Sequence, residues 1–309
     1  MVRENHRVVI LLATLDGAEF LPEQLKSYRD QTHSDWELLV SDDGSPDETV
    51  ETLQAFAESN PEHLMTLLEG PRQGFCRNFM YLVKQSPSDA DFYAYSDQDD
   101  IWSAPKLEKA LAYLGSVPAG VPAVYFTRAF LITDNGECFG LSPLFKRPPS
   151  FQNALVQNIG GGNTMVFNRA ARSALLQTVD WPIVSHDWWT YQVVTGIGGI
   201  AHYDRWPSIQ YRQHGSNLVG SNSGIRASTL RLRALLDGRF SDWNETNIEA
   251  LTKIRSLLIP TNAATLDSLN HSRKARLLKR LHLVWKSGVY RQSFLENLGL
   301  YAASIINKI

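Results

Sequence analysis

Up to about residue 115, short apolar runs alternate with longer amphipathic stretches, the pattern of βα units laid on a mostly parallel sheet. The apolar runs place strands at 7–14, 36–41, 63–69 and 91–96. Helices fill the gaps. Pro22 stands in the first turn of one, and Ser45-Pro46-Asp47-Glu48 reads as the start of the next, with serine as N-cap, proline at the first helical position and glutamate at the third. That reading starts the second helix immediately after Asp43-Gly44. From 120 to 215 the pattern is less regular: a strand at 122–132, a glycine turn Gly160-Gly161-Gly162, and two short strands near 200–212.

Past Gly215 the chain is rich in Ser, Asn and Gly over 216–223, and only helical patterns follow, first Leu230, Leu232, Leu235 and Leu236, later Leu277, Leu278, Leu281, Leu283 and Val284. The expected division is a domain of 1–220 and a helical region of 221–309. No internal repeat or low-complexity tract interrupts it.

With 309 residues, 43% of them hydrophobic, the chain holds enough core material for one large α/β domain with an appendage. A net charge of -2 gives no global attraction to nucleic acid. Cys76 and Cys138 are far apart, which argues against a disulfide framework or a zinc knuckle and fits a reducing cytoplasm. The run from Val8 to Ala13 leads straight into Asp16 and Gly17 and reads as a strand, not a signal segment. Nowhere does the chain offer the ~18 consecutive apolar residues that a spanning helix needs.

Open parallel sheets bind ligands at the carboxyl ends of their strands, and the polar clusters fall there. Thr14-Leu15-Asp16 follows the first strand, Ser41-Asp42-Asp43-Gly44-Ser45 the second, and Ser96-Asp97-Gln98-Asp99-Asp100 the fourth. Taken singly, Asp-Asp-Gly-Ser is equally a turn and cap, whereas the acidic run, three carboxylates within four residues, is harder to dismiss as a solvated turn. Their coincidence on one sheet edge favours a site. Two carboxylates ~5 Å apart repel by roughly 3 kcal/mol at an effective dielectric of 20, so a partly buried acidic run needs a counter-charge. Hard oxygen ligands suit Mg²⁺ or Mn²⁺, which also bind phosphate oxygens.

Six ordered segments carry a family resemblance: Val8 to Asp16, Gln31-Thr32 to Ser45, Gly74 to Asn78, Ser96 to Trp102, His186-Asp187, and Tyr211 to Gly220. Together they resemble family 2 glycosyltransferases of the GT-A fold, and more narrowly the bacterial rhamnosyltransferase-like members. The resemblance covers about 7–220. It implies an α/β, Rossmann-like GT-A domain, a mostly parallel sheet with helices on both faces, here followed by a C-terminal helical appendage, with 120–215 as the acceptor-facing half.

For the donor, the resemblance points to Asp43 as the contact to a pyrimidine N3–H, with Asp42 assisting or shaping the turn. Thr14, Asp16, Gly74, Arg77 and Asn78 are expected near the same nucleotide-sugar. Asp97 and Asp99 correspond to the Asp-X-Asp pair, Asp99 being the main ligand of a divalent Mg or Mn ion and Asp97 its partner. Asp100 is read as a cap on the helix that Pro105 opens. Where the family often has Asn before the glycine of an Asn-x-Gly motif, this chain has Arg72-Gln73-Gly74, and Arg72 is left outside the site.

An inverting transfer needs a base on the acceptor face to take the hydroxyl proton while the leaving diphosphate is stabilised opposite. Asp187, in Ser185-His186-Asp187-Trp188-Trp189, stands where relatives usually carry an acidic pair and is the expected base. His186 replaces the first acid and is expected to position Asp187. Trp188 and Trp189 are expected at the acceptor, one ring facing the sugar and the other the core. The run Tyr211-Arg212-Gln213-His214 resembles the segment that closes over the diphosphate, giving Arg212 as a phosphate contact and His214 as a third metal ligand or phosphate donor.

Between Asp267 and Glu296 there is no acidic residue, and Lys and Arg interleave with Leu277, Leu278, Leu281, Leu283, Val284 and Trp285. A basic amphipathic pattern of this kind fits either a helix packed on the domain or peripheral contact of 271–292 with the inner face of an anionic membrane, at about 1 kcal/mol per basic residue. The expected activity is transfer of rhamnose or another hexose from a dTDP- or UDP-donor to a bacterial surface glycan or its lipid-linked form. One rival is a sugar-1-phosphate nucleotidyltransferase, which wants a Gly-rich basic loop after the first strand, and Leu11 to Gly17 offers none. The other is a non-catalytic sugar-nucleotide or glycan-binding module, which has no need to retain both Asp99 and Asp187.

Overall fold

The parallel half of the sheet is built from β1 (Val8–Thr14), β2 (Trp36–Asp42), β3 (Met65–Glu69) and β4 (Phe92–Ser96), in the order β3-β2-β1-β4. These strands belong to a computed structural model that describes residues 6–213 and 239–309. In β1 the side chains alternate between two cores, as strand geometry requires. Val8, Ile10 and Leu12 pack with Leu21, Leu25 and Tyr28 of α1 (Leu21–Arg29) and with Leu107 and Ala110 of α4 (Lys106–Leu114). Val9 and Leu11 face the other way, onto Phe79, Leu82 and Val83 of α3 (Phe75–Gln85). Both faces of β1 are therefore covered, which is why its sequence is an unbroken apolar run. Register pairs Thr14 with Asp42 and Leu12 with Ser96, so the three polar clusters meet at one carboxyl edge.

The helix after β2 starts later than its sequence suggests. α2 spans Thr49–Ser59 with Glu48 at the N-cap position. Ser45 is not a cap: its hydroxyl donates to Asp42 Oδ1 and accepts from the Asp16 amide. Asp47 is the side chain that accepts from the Thr49 amide, at 3.2 Å.

The second half of the sheet is mixed. β6 (Ala123–Ile132) runs parallel to β9 (Ile200–Arg212), whereas β8 (Val166–Asn168) lies antiparallel between β4 and β6. β5 (Ile101–Trp102) and β7 (Cys138–Leu141) add antiparallel edges on β9 and β6. The two short strands expected near 200–212 are one long strand, with a register shift between Asp204 and Pro207 where the polar residues interrupt the apolar pattern. α5 (Phe151–Ala154), α6 (Arg169–Leu176) and α7 (His186–Gly196) cover the face that α3 covers in the first half.

α8 (Arg239–Lys253), α9 (Pro260–Arg273), α10 (Leu277–Ser287) and α11 (Phe294–Ile305) follow. Leu251, Leu258, Leu266, Val284 and Leu300 join the same apolar cluster as Val9 and Phe79, so these helices share a core with the sheet. Asn262 fixes the join by donating to the carbonyls of Thr195 and Gly196 at the end of α7. The expected boundary at 220 lies outside the described residues. Among those described, no helix is long and apolar enough to cross a membrane.

Candidate active site

The loop after β2 is formed by its own carboxylates. Asp42, almost fully buried, accepts from the hydroxyls of Thr14 (2.9 Å) and Ser45 (2.6 Å) and from the amides of Gly44 (3.1 Å) and Ser45 (2.9 Å). With four donors on two oxygens, Asp42 shapes the turn, and Thr14 serves Asp42. Asp43 accepts from the amides of Arg72 (2.5 Å) and Gly74 (3.1 Å), leaving acceptor capacity on both oxygens. Gly44 sits at φ +103°, and a Cβ there would meet the Arg72 side chain at 3.0 Å. Arg72, omitted from the sequence reading, is thus brought against the Asp43–Gly44 turn. Gly74, at φ +85°, opens α3 with free space around its Cα.

Asp16 is exposed on the neighbouring loop, and Gln98 clamps that loop by exchanging two 2.8 Å bonds with the backbone of Leu15. Buried Asn78 donates to the carbonyl of Ser41 at 2.9 Å, tying α3 to β2, and Arg77 is directed to the carbonyl of Val179 at 3.4 Å. Asn78 is thereby a scaffold residue, which corrects its expected donor contact, while Arg77 is half-buried beside Val179.

The acidic run divides by burial. Asp97 and Asp99 are half-buried, and Asp100 is fully buried. Asp100 accepts from Asn163 Nδ2 at 2.6 Å and from the Arg212 amide at 3.3 Å. These partners lie on the glycine turn and β9, so Asp100 is not the cap of α4 that was expected. Burial holds the Asp100 carboxyl well above the usual carboxylate range, with the charges of Asp99 and Asp97 adding to the effect. Asp97 is pushed up to about 8 by burial first, then by Asp99 and Asp187, against an opposing pull from Lys106. Lys106 is itself buried, donates to the Asn163 carbonyl at 2.7 Å and lies 3.3 Å from the centre of the Trp102 ring. Desolvation holds its ammonium well below the usual lysine range.

Arg212 is 1% exposed, with its guanidinium spent on the carbonyls of Asp99 and Asp134 and on Glu23. It braces the backbone that carries Asp99, which corrects the expectation of a phosphate contact. His214 lies outside the described residues. Among the described residues no three His, Cys, Asp or Glu side chains are grouped to hold a metal.

Asp187 projects from the first turn of α7, where the helix dipole favours a carboxylate. Its Oδ2 accepts from Asn158 Nδ2 at 2.9 Å and its Oδ1 from the Trp188 amide at 2.7 Å. Its charge is one of the causes that raise Asp97, so the two carboxylates share one electrostatic environment from separate elements. His186 is stacked on Phe79 at 3.9 Å and edge-on to Tyr95 at 4.8 Å, with neither ring nitrogen partnered. It acts as packing and makes no bond to Asp187; Asn158 is the residue that orients the carboxylate.

Trp188 and Trp189 are both core. Trp188 donates to the Ala154 carbonyl at 2.6 Å and Trp189 to the Thr178 hydroxyl at 2.8 Å, and neither presents a ring to an acceptor, correcting that expectation. What sequence reasoning missed is the glycine turn's role. Asn158 at one end holds Asp187, while Asn163 at the other holds Asp100 and Lys106, so one segment ties the two sides together. The signal was the pair of Asn residues flanking Gly160-Gly161-Gly162.

The sheet, parallel through β3-β2-β1-β4 and mixed beyond, with helices on both faces, has the GT-A fold of the solved structures it resembles. Residues 9–177 match the model described as Glycosyl transferase family 2, and the chain belongs to that family. It is 26% identical over 242 residues, 72% of this chain and 78% of the relative, to the dTDP-rhamnosyl transferase RfbG of Shigella flexneri. Over 183 residues, 59% of this chain and 66% of the relative, it is 29% identical to the UDP-Glc:alpha-D-GlcNAc-diphosphoundecaprenol beta-1,3-glucosyltransferase WfgD of Escherichia coli. Among solved structures it resembles the mannosyltransferase PcManGT of Pyrobaculum calidifontis in complex with GDP-Man and Mn²⁺, with a TM-score of 0.54 at 17% identity, covering 98% of this chain and 85% of that one. Family membership sets aside the nucleotidyltransferase and non-catalytic readings.

Proposed function

We propose that this enzyme is an inverting, metal-dependent glycosyltransferase that moves rhamnose or another hexose from a dTDP- or UDP-donor onto a bacterial surface glycan, with Asp187 as general base. The observation that carries this reading is that one glycine turn holds Asp187 through Asn158 and the acidic run through Asn163 and Asp100. A base and a leaving-group site need that fixed relation across one pocket. The donor and acceptor classes follow the names of the Shigella and Escherichia relatives.

Asp43 would accept from the pyrimidine N3–H, its carboxylate already aimed by the amides of Arg72 and Gly74. Gly74 leaves open space for the donor, and exposed Asp16 stands on the adjacent loop. The residues present fit a divalent cation: Asp97 and Asp99 repel each other, and Lys106, the cation that offsets Asp97, is itself weakened by burial. Mg²⁺ or Mn²⁺ held by Asp97 and Asp99 would stabilise charge on the departing diphosphate. The protein's own work on the acceptor side is orientation and proton removal. Asn158 and the Trp188 amide fix Asp187, whose remaining lone pairs take the hydroxyl proton. The catalytic unit is taken as 1–220, with 221–309 as a helical region in which 271–292 contacts the inner face of the membrane near a lipid-linked acceptor.

Incubation with a panel of nucleotide sugars and Mn²⁺ or Mg²⁺, followed by assay of nucleoside diphosphate and of the product's anomeric configuration, tests this. Release of dTDP or UDP with inversion is expected and is abolished by chelation. Retention of configuration, or full activity after chelation, overturns it.

A further inference from the structure

The basic C-terminal segment was expected to offer its apolar residues from 271–292, but Leu281 and Leu283 are half-buried and Val284 is 1% exposed. Of that segment's large apolar residues, Leu277, Leu278 and Trp285 turn outward, the latter two at 83% and 69% exposure and seven residues apart on one face of α10. The larger apolar surface lies beyond the segment, on α11. Phe294 and Leu295 are 75% and 77% exposed, and Leu298 and Ile305 are about half exposed. Leu295, Leu298, Ala302 and Ile305 follow the 3-4-3 spacing of a single helical stripe.

These residues are not stray exposed positions on frayed helices. The opposite faces of the pair are anchored in the main core through Val284 and Leu300. Arg280 of α10 donates to the carbonyl of Ser304 in α11 at 3.0 Å, locking the two helices together. A capping box between Ser293 and Glu296 fixes the start of α11. Seven or more large apolar side chains held outward by a rigid scaffold mark an interaction face.

Charge selects the occupant. Lys274, Arg276, Lys279 and Lys286 are exposed on the same helical segment, and no acidic residue occurs between Asp267 and Glu296. Glu296 turns back to the Gln157 amide and the Ser293 backbone. A two-fold pairing of this face with a second copy would set its lysines against their own counterparts. An anionic bilayer instead accepts the apolar residues below the headgroups and the cations among them.

We propose that α10 and α11 form one rigid platform that seats on an anionic membrane, with Leu278, Trp285, Leu295 and Leu298 entering the headgroup–acyl boundary. This deepens the membrane contact proposed above and is independent of the donor assignment. The test uses the full chain with sedimentation on phosphatidylglycerol-containing and on pure phosphatidylcholine vesicles. Expected is binding to the anionic vesicles that falls at least about tenfold in Leu295→Ser/Leu298→Ser and in Lys279→Glu/Lys286→Glu. Nucleoside diphosphate release in vesicle-free buffer stays unchanged in both variants, which separates this proposal from the catalytic one and shows that the variants fold. Negligible binding to either vesicle, or binding unaffected by the Leu295/Leu298 pair, overturns it. Self-association that the same variants abolish, without vesicle binding, assigns the face to a second copy instead.

Discussion

Asn158 donates from Nδ2 to Oδ2 of Asp187 at 2.9 Å, reaching from the start of the glycine turn to the first turn of α7. The bond leaves Asp187 a single orientation, because Oδ1 is already held by the Trp188 amide. Asp187→Asn is expected to keep donor binding and lower kcat by about 10²- to 10⁴-fold, the range for a positioned base. Asn158→Ala removes only the orientation, so kcat falls by about tenfold with the donor KM unchanged. Steady-state assay of nucleoside diphosphate release measures both, and near-normal turnover in Asp187→Asn removes this carboxylate from the mechanism.

The contribution of Asp97 to the stability of the metal-free enzyme should fall as pH rises. Asp97 has its pKa raised from 3.8 to about 8, by burial first and then by Asp99 and Asp187. Between these values the native state holds more protons than the unfolded chain, so the contribution is fully present below about pH 4 and is gone above about pH 8. A divalent cation held by the ionised pair, as proposed, would reverse that trend. Thermal melts across this window with EDTA and with Mn²⁺ are expected to diverge as pH increases, and Asp97→Asn should remove most of the divergence. Parallel melts in the wild type would dissociate Asp97 from cation binding.

The same carboxylates show what the sequence could and could not reveal. β1, β2 and β4 were legible because burial on both faces makes them continuous apolar runs, and the polar residues after them had to fall on one edge. β5, β7 and β8 span two to four residues each, too short for any periodicity to register. The start of α2 was misplaced because Ser45 and Asp47, good capping residues, are used across the loop by Asp42, Asp16 and Ala18. Arg212 read as a phosphate contact because its segment resembles the one that closes over a diphosphate, whereas carbonyls and Glu23 satisfy it inside. Lys106 carries no signal in the sequence and is buried beside the acidic run, against Trp102.

Trp188 and Trp189 should behave as stability residues. Trp189 is fully buried beside Thr178, and truncation to alanine is expected to cost about 3–5 kcal/mol of unfolding free energy. Trp188→Phe keeps the ring but loses the bond to the Ala154 carbonyl, costing about 1–3 kcal/mol. Urea titrations give the stability change, and the acceptor KM should stay constant in the phenylalanine variant. A raised acceptor KM at unchanged stability would return Trp188 to the acceptor site.

Acid should destabilise the fold through His186. Burial lowers its pKa from 6.5 to about 4, only partly opposed by Asp187, and its ring is sealed between Phe79 and Gly162. The unfolded chain therefore takes up a proton that the native state refuses. This contribution is complete above about pH 6.5 and is lost as pH falls toward 4, a change of about 3 kcal/mol. Urea unfolding at pH 7 and pH 5 should show a smaller acid loss in His186→Asn, which cannot titrate, than in the wild type. An equal loss in both would place the acid sensitivity elsewhere.

Asn163 bridges Lys106 and Asp100, accepting from the ammonium on its backbone carbonyl and donating its side-chain amide to the carboxylate. Both groups are buried; Asp100 and Asp97 offset part of the desolvation of Lys106, and Lys106 opposes the rise of Asp97. Lys106→Met leaves Asp97 without that offset and the Asn163 carbonyl without its donor, and Asp100→Asn leaves the ammonium facing fewer carboxylates. Either single change is expected to cost about 3–5 kcal/mol. The double variant should cost less than the sum by about 1–3 kcal/mol, because no lone buried charge remains. A double-mutant cycle in urea measures the coupling directly. Additive losses would mean that Asn163 satisfies each group separately and that the acidic run feels no cation from α4.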